Sequence, residues 1–216
     1  SLPDLPVLDE GLDRIDLDAL MSARGSVRRQ LAVRLQQSLL DIYHDRARHL
    51  SAEPDFAGIS ARALKNNCLD LLMALGDDSV RDMALTQVRS AANMTDQFAA
   101  LSSLIHADDA YREAALDHFA RQWRDHPTVI DKWFLVQAMD RGPGGAARIV
   151  ELSCNPGLTA DNVPRAIAFY GTFFRQNRVS FHDPCGIGYA LLADELLKMD
   201  ALGRAFSRYL MPQINQ

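Results

Sequence analysis

Apolar residues recur every three or four positions through nearly all of this 216-residue chain. That spacing constrains the fold more than any other feature, because it lays apolar side chains along one face of an α-helix. From Ser26, the residues Val27, Leu31, Leu35, Leu39 and Ile42 follow it, with Arg28, Arg29, Arg34 and Gln36 between them. The same spacing continues in "SARALKNNCLDLLMAL", which should stop at Gly76, and in "SVRDMALTQVRSA", "TDQFAALSSLIHA", "AYREAALDHFARQWRD" and "VIDKWFLVQAM". "AARIVEL", "PRAIAFYGTFFR", "GYALLADELLKM" and "LGRAFSRYLM" complete the series. A period of two never persists, and "NRVSFH" (Asn177 to His182) is the best strand candidate. The expectation is an all-α fold of about ten short helices whose short connections keep neighbours antiparallel. A compact bundle and a two-layer helical solenoid both satisfy this. No strict repeat selects the solenoid, although helices apolar on more than one side favour it, since a middle helix packs on both neighbours.

Local signals place the helix starts. Ser79-Val80-Arg81-Asp82 has the capping-box spacing, as does Thr128 with Asp131, so Ser79 and Thr128 are expected as caps, with Asp82 and Asp131 reaching back. Asp131 otherwise draws attention, because Asp131-Lys132 precedes Trp133-Phe134 in a greasy run; a cap and a favourable helix dipole give it a sufficient structural role. Lys132 has no comparable local explanation. In "ANMTD", Asn93 is expected in a left-handed turn and Thr95 as the next cap. Residues 1–17, acidic and holding two prolines, read as a lead-in from an upstream domain, and 18–216 as one helical domain. "GPGG" (142–145) and "NPG" (155–157) read as loops flanking a short helix.

The residues exclude several kinds of chemistry. A formal charge of −5 lacks the basic excess that duplex nucleic-acid binding needs. No apolar run spans a membrane and no signal peptide opens the chain. Cys68, Cys154 and Cys185 are too widely spaced for a metal knuckle and odd in number, which fits a reducing cytoplasm and no disulfide framework. Cys68, on an amphipathic stretch, is expected as a small buried thiol. The six histidines form neither H-E-x-x-H nor an i, i+4 pair, so no metal site is expected here. Cys185 lies near His182 and Asp183 in "HDPCGIGY", but adjacency in sequence is not triad geometry. A lone G-x-G is too little to cradle phosphate. No reaction centre is recognisable.

Five segments, in order, carry a resemblance: "SVRRQLAVRLQQSLLDIY" (26–43), "RALKNNCLDLL" (62–72), "AANMTDQFAALSSL" (91–104), "VIDKWFLVQA" (129–138) and "FHDPCGIGYALLADELL" (181–197). Together, over about residues 20 to 212, the chain resembles the C-terminal domain of the bacterial aminopeptidase N family of gluzincin zinc peptidases. The resemblance implies a two-layer right-handed superhelix of antiparallel helix pairs, armadillo/HEAT-like. It implies a parent enzyme that removes N-terminal residues from peptides, with the zinc in an upstream catalytic domain. This piece would contain no catalytic residue and no cofactor, and would cover the catalytic domain and shape the substrate cavity and access channel. Its partners would be that domain of the same polypeptide and the peptide substrate, in a monomeric cytoplasmic protein. The family's domain also continues with further helices past the segment matching "SRYLMPQINQ".

The resemblance marks two cavity arginines. Arg165 matches the first arginine of the family's N-P-N-R-x-R segment, where this chain reads Asn162-Val163-Pro164-Arg165-Ala166-Ile167, with Ile167 in place of the second. Arg208 matches another. An arginine there could hold a peptide's carboxylate bidentately. The alternative from another class is a stand-alone α-solenoid adaptor that binds protein or peptide in its concave groove.

Overall fold

The structure, a computed structural model, describes residues 16–48, 56–107, 110–158 and 162–201. Among them there are ten α-helices, two short 3₁₀ turns and no strand. The expected all-α class is what the chain adopts. No described helix is long and apolar enough to cross a membrane. The chain divides into two compact units, residues 1–103 and 104–216.

The first unit begins with α1 (Leu17–Arg48) and α2 (Phe56–Leu72), which pack along each other. The spacing predicts a start near Ser26, but α1 begins earlier because Asp16 caps it, its carboxylate accepting from the Ala19 amide at 2.9 Å. The covered face runs through Ala32, Leu39 and Tyr43, while Val27 and Leu35 are exposed. With α2 and the adjoining turn as its principal partners, α1 buries one narrow face. Arg28 ties that face to α2 through the Asp70 carboxylate (2.9 Å) and carbonyl (2.8 Å). A 3₁₀ turn (Met73–Leu75) ends the pair, and Gly76 stops it as expected, at a φ of 77° that suits glycine.

Next come α3 (Asp78–Ser90) and α4 (Met94–Leu104). Cys68, Leu69, Leu72, Val80, Ala84, Leu85 and Val88 are buried, and Cys68 is the inert core thiol that its stretch suggested. The expected cap at Ser79 with Asp82 is corrected. Asp77 is the N-cap, in extended conformation, and its carbonyl accepts from the Val80 and Arg81 amides. Ser79 and Asp82 therefore lie within the helix. Nor is Asn93 left-handed, since no described non-glycine residue has positive φ. Its side-chain oxygen accepts from the Asp96 amide at 2.9 Å, so Asn93 itself caps α4 and Thr95 sits inside the first turn.

The second unit holds α5 (Ala110–Trp123), α6 (Pro127–Ala138), α7 (Gly145–Ser153), α8 (Val163–Gln176), α9 (Arg178–Phe181) and α10 (Ile187–Ala201). Helix α6 packs between α5 and α8, and α10 lies against α7 and α9. The core is strongly aromatic. Ala166, Phe169, Tyr170, Phe173 and Phe174 project from α8 at i, i+3, i+4, i+7 and i+8 and are all buried. Phe134 meets Phe169 edge-on (86° between rings), and Phe173 meets Phe181 likewise (89°), the favoured aromatic geometry.

The strand expected at "NRVSFH" is a single helical turn, α9. Asn177 caps it, accepting from the Ser180 amide at 3.2 Å, and Phe181 drives into the aromatic core. A six-residue apolar–polar alternation is too short to outweigh a cap and a buried ring. The cap expected at Thr128 and Asp131 is corrected too. Pro127 takes the first helical position, His126 is the N-cap, and the His126 carbonyl accepts from the Val129 and Ile130 amides. Thr128 is thereby carried inside the helix.

Candidate functional site

The sequence motifs converge first on a buried polar network in the first unit. Lys65 and Asp96, both almost fully buried, form an ion pair at 2.8 Å. Asn66 donates to one Asp96 carboxylate oxygen (2.9 Å) and Asn93 to the other (3.1 Å). The Gln87 amide donates to the Asn66 side chain and to the Asp96 carbonyl, and Tyr43 donates to Gln87 at 2.9 Å. Burial, with the Asp96 charge adding to it, pushes the Tyr43 phenol up to about 12. Lys65-Asn66 and Asn93 to Asp96 belong to two of the segments that carry the resemblance, and their polar groups satisfy one another. The network locks α2, α3 and α4 in register.

In the second unit the corresponding hub is Asp140, fully buried at the end of α6. Arg148 of α7 grips its carboxylate with Nε (2.9 Å) and Nη2 (2.7 Å), and Arg112 of α5 approaches to 3.7 Å. The other carboxylate oxygen accepts from the Gly142 amide. The Asp140 carbonyl accepts from the Asn177 side chain and from the Ser180 hydroxyl, each at 2.7 Å. Gly145 must be glycine for this approach, because a Cβ there would stand 2.7 Å from that carbonyl oxygen. The 142–145 loop is thus wrapped around a buried carboxylate. The sequence reading missed Asp140; its only signal was an acid between an apolar helix and a Gly-Pro-Gly loop.

Beside this hub opens a polar cleft of about 340 Å³, lined chiefly by Arg112, Glu113, Gln137, Arg148, Glu151 and Asn155. Arg112 is buried and paired to Glu113. Its two arginines and two glutamates leave the lining balanced in charge.

The arginine singled out at 165 is placed elsewhere. Its Nε donates to Asp131 at 2.5 Å, Nη1 to the Gly157 carbonyl at 2.9 Å and Nη2 to the Pro127 carbonyl, and its guanidinium lies 5.1 Å from the centre of the Phe134 ring. A ligand carboxylate would have to displace Asp131. Asp131 thus serves this ion pair between α6 and α8 instead of a capping box. Arg208 lies outside the described residues. His182, considered with Asp183 and Cys185, has its Nδ1 within 2.6 Å of the Tyr189 hydroxyl, while the Cys185 thiol, and after it the Cys185 amide, hydrogen-bonds the Asp183 carboxylate and holds it below the usual carboxylate range. This is a turn stabilised by an Asx bond. Among the described residues, no group of three or more His, Cys, Asp or Glu side chains could hold a metal ion.

Comparison with known proteins gives these features a family. A family model described as a domain of unknown function (DUF3458_C) with ARM repeats matches residues 1–210. Aminopeptidase N of Caulobacter vibrioides is 37% identical over 93% of this chain and 23% of its own length, and that of Escherichia coli is 31% identical over 99% and 25%. Aminopeptidase N of Haemophilus influenzae is 30% identical over 93% of this chain. The crystal structure of Legionella pneumophila aminopeptidase A in complex with aspartic acid superposes with a TM-score of 0.82 at 25% identity, over 93% of this chain and 24% of that one. The chain spans about a quarter of the length of the relatives it matches. The resemblance read from the five segments holds: this chain belongs to the DUF3458_C family of ARM-repeat domains, a region it shares with bacterial aminopeptidases N.

Proposed function

We propose that this chain is the C-terminal helical domain of a zinc-dependent aminopeptidase N, where it covers the catalytic domain and shapes the cavity and channel through which peptides enter. The observation that carries this reading is the match of nearly the whole chain to about a quarter of each aminopeptidase N relative. A segment of that share, helical throughout its described residues and without H-E-x-x-H, supports an accessory role. Zinc belongs, in this reading, to another part of the polypeptide. The sequence has no zinc-peptidase motif, among the described residues no group of ligating side chains converges, and no hydrolytic step is assigned to them. The described cysteines are free, and Cys154 and Cys185 are exposed, which supports a cytoplasmic setting. The parent enzyme acts as a monomer, with the catalytic domain as this domain's partner and Arg208 facing the substrate cavity.

The test is direct. The purified 216-residue chain, supplied with zinc, releases no p-nitroaniline from alanine p-nitroanilide; chelator-sensitive turnover would overturn the reading. In the parent enzyme, Arg208→Ala raises KM for longer peptides more than for the anilide, which does not reach the cavity wall. Equal effects on both remove Arg208 from the cavity.

A further inference from the structure

We propose that residues 204–211, the segment that follows α10, fold back as a short helix onto the exposed side of α10. The observation behind this is that α10 is apolar on two opposite sides. Leu191 and Glu195 are buried, and Leu192 and Leu196 pack partly buried against the aromatic core. On a wheel advancing about 100° per residue, Ala190, Ala193 and Leu197 fall within about 60° of one another, opposite Leu191 and Glu195. Both alanines are exposed, and Leu197 is 70% exposed. A helix with neighbours on one side only carries polar residues on the other. A row of Ala, Ala and Leu at i, i+3 and i+7 is instead the pattern of a helix packed on both sides, and its two small residues let a second backbone come close.

The sequence supplies the occupant. Gly203 stands two residues past Ala201, the last of α10, where glycine ends a helix and turns the chain. Beyond it, Ala205, Phe206, Tyr209 and Leu210 share one side of a helix, and Arg204, Ser207 and Arg208 share the other. Run antiparallel from the end of α10, eight helical residues cover about 12 Å, which reaches past Leu197 to Ala193. An isolated helix this short is marginal in water, so the segment holds a helical form only against a partner. Its tether gives it an effective concentration of about millimolar at the row, far above that of a second copy in dilute solution. Docked this way, Phe206, Tyr209 and Leu210 meet Leu197 and Ala193, and Arg204 and Arg208 stay on the outer side.

The two arginines make the segment its own reporter, because trypsin cuts after arginine and needs the chain locally unfolded. The 216-residue chain and a synthetic peptide of residues 202–216 are digested side by side and followed by mass spectrometry, with the cut after Arg14 as the internal control. Cleavage after Arg204 and Arg208 is expected to be about tenfold slower in the chain than in the peptide, since it tracks the open population. Leu197→Gln removes the apolar contact and should raise that rate about tenfold, the scale of burying one leucine. The cut after Arg14 and the far-ultraviolet circular dichroism should not change. Ala193→Glu, which sets a charge in the same row, should act in the same direction. Cleavage in the chain as fast as in the peptide overturns the proposal, and so does a rate that either variant leaves unchanged. Protection that fades on dilution from about 100 μM to about 1 μM assigns the row to a second copy and also overturns it.

Discussion

Replacing Lys65 by methionine removes the cation from the buried network of the first unit while preserving most of its volume. Lys65 and Asp96 side chains are only 6% and 4% exposed, and their charged atoms stand 2.8 Å apart. At that distance, with an effective dielectric constant of about 20, the gross attraction is about 6 kcal/mol. Desolvation of the two ions, several kcal/mol each, cancels much of it, so the net worth of the pair is small. Breaking it is a different matter, because the Asp96 carboxylate stays buried with its counterion gone. Such losses are about 3–5 kcal/mol. Asp96 keeps its bonds from Asn66 and Asn93, which places the expected loss at the lower end, about 3 kcal/mol. Urea unfolding followed by circular dichroism at 222 nm measures it as a lower midpoint. The double variant Lys65→Met/Asp96→Asn, which removes the stranded charge as well, should recover at least about 1 kcal/mol of the loss. A loss below about 1 kcal/mol, the scale of an exposed pair, or a double variant no better than the single one, would refute the reasoning.

Arg165→Met removes the ion pair to Asp131 and the bond to the Gly157 carbonyl; thermal unfolding should show a loss of about 2 kcal/mol. Asn177→Ala strips three buried hydrogen bonds, to the Ala138 and Asp140 carbonyls and from the Ser180 amide, and should cost about 2–4 kcal/mol with faster hydrogen exchange in α9. Tyr43 has its pKa raised from 10.0 to about 12. The native state therefore holds this proton more tightly than the unfolded chain does, and its contribution is complete below pH 10 and lost as pH rises toward 12. Urea midpoints measured across that window should fall, and Tyr43→Phe should flatten the fall.

The places where local reading and structure part have a common cause. Thr128 with Asp131 and Ser79 with Asp82 both have capping-box spacing, yet in each case the helix starts two residues earlier. Pro127 settles the first start, and an extended Asp77 the second. Asn93 and Asn177 show the converse: a short polar residue between helices became the cap of the next one. Asp131 has a structural role, as expected, but with a different partner. Another helix brings Arg165 to it. Spacing along one helix cannot report a partner 34 residues away.

The sequence by itself determined that the chain is helical, where most helices run, that Gly76 ends one of them, that Cys68 is buried, and to which family the chain belongs. All of these follow from periodicity, stop signals or ordered motifs, which are local or additive along the chain. Tertiary structure decided the pairing of Lys65 with Asp96, the burial of Asp140 beneath Arg148 and the grip of Arg165 on Asp131. Each of those depends on charges from different helices meeting at distances below 4 Å, and a buried charge is tolerable only where such a meeting occurs.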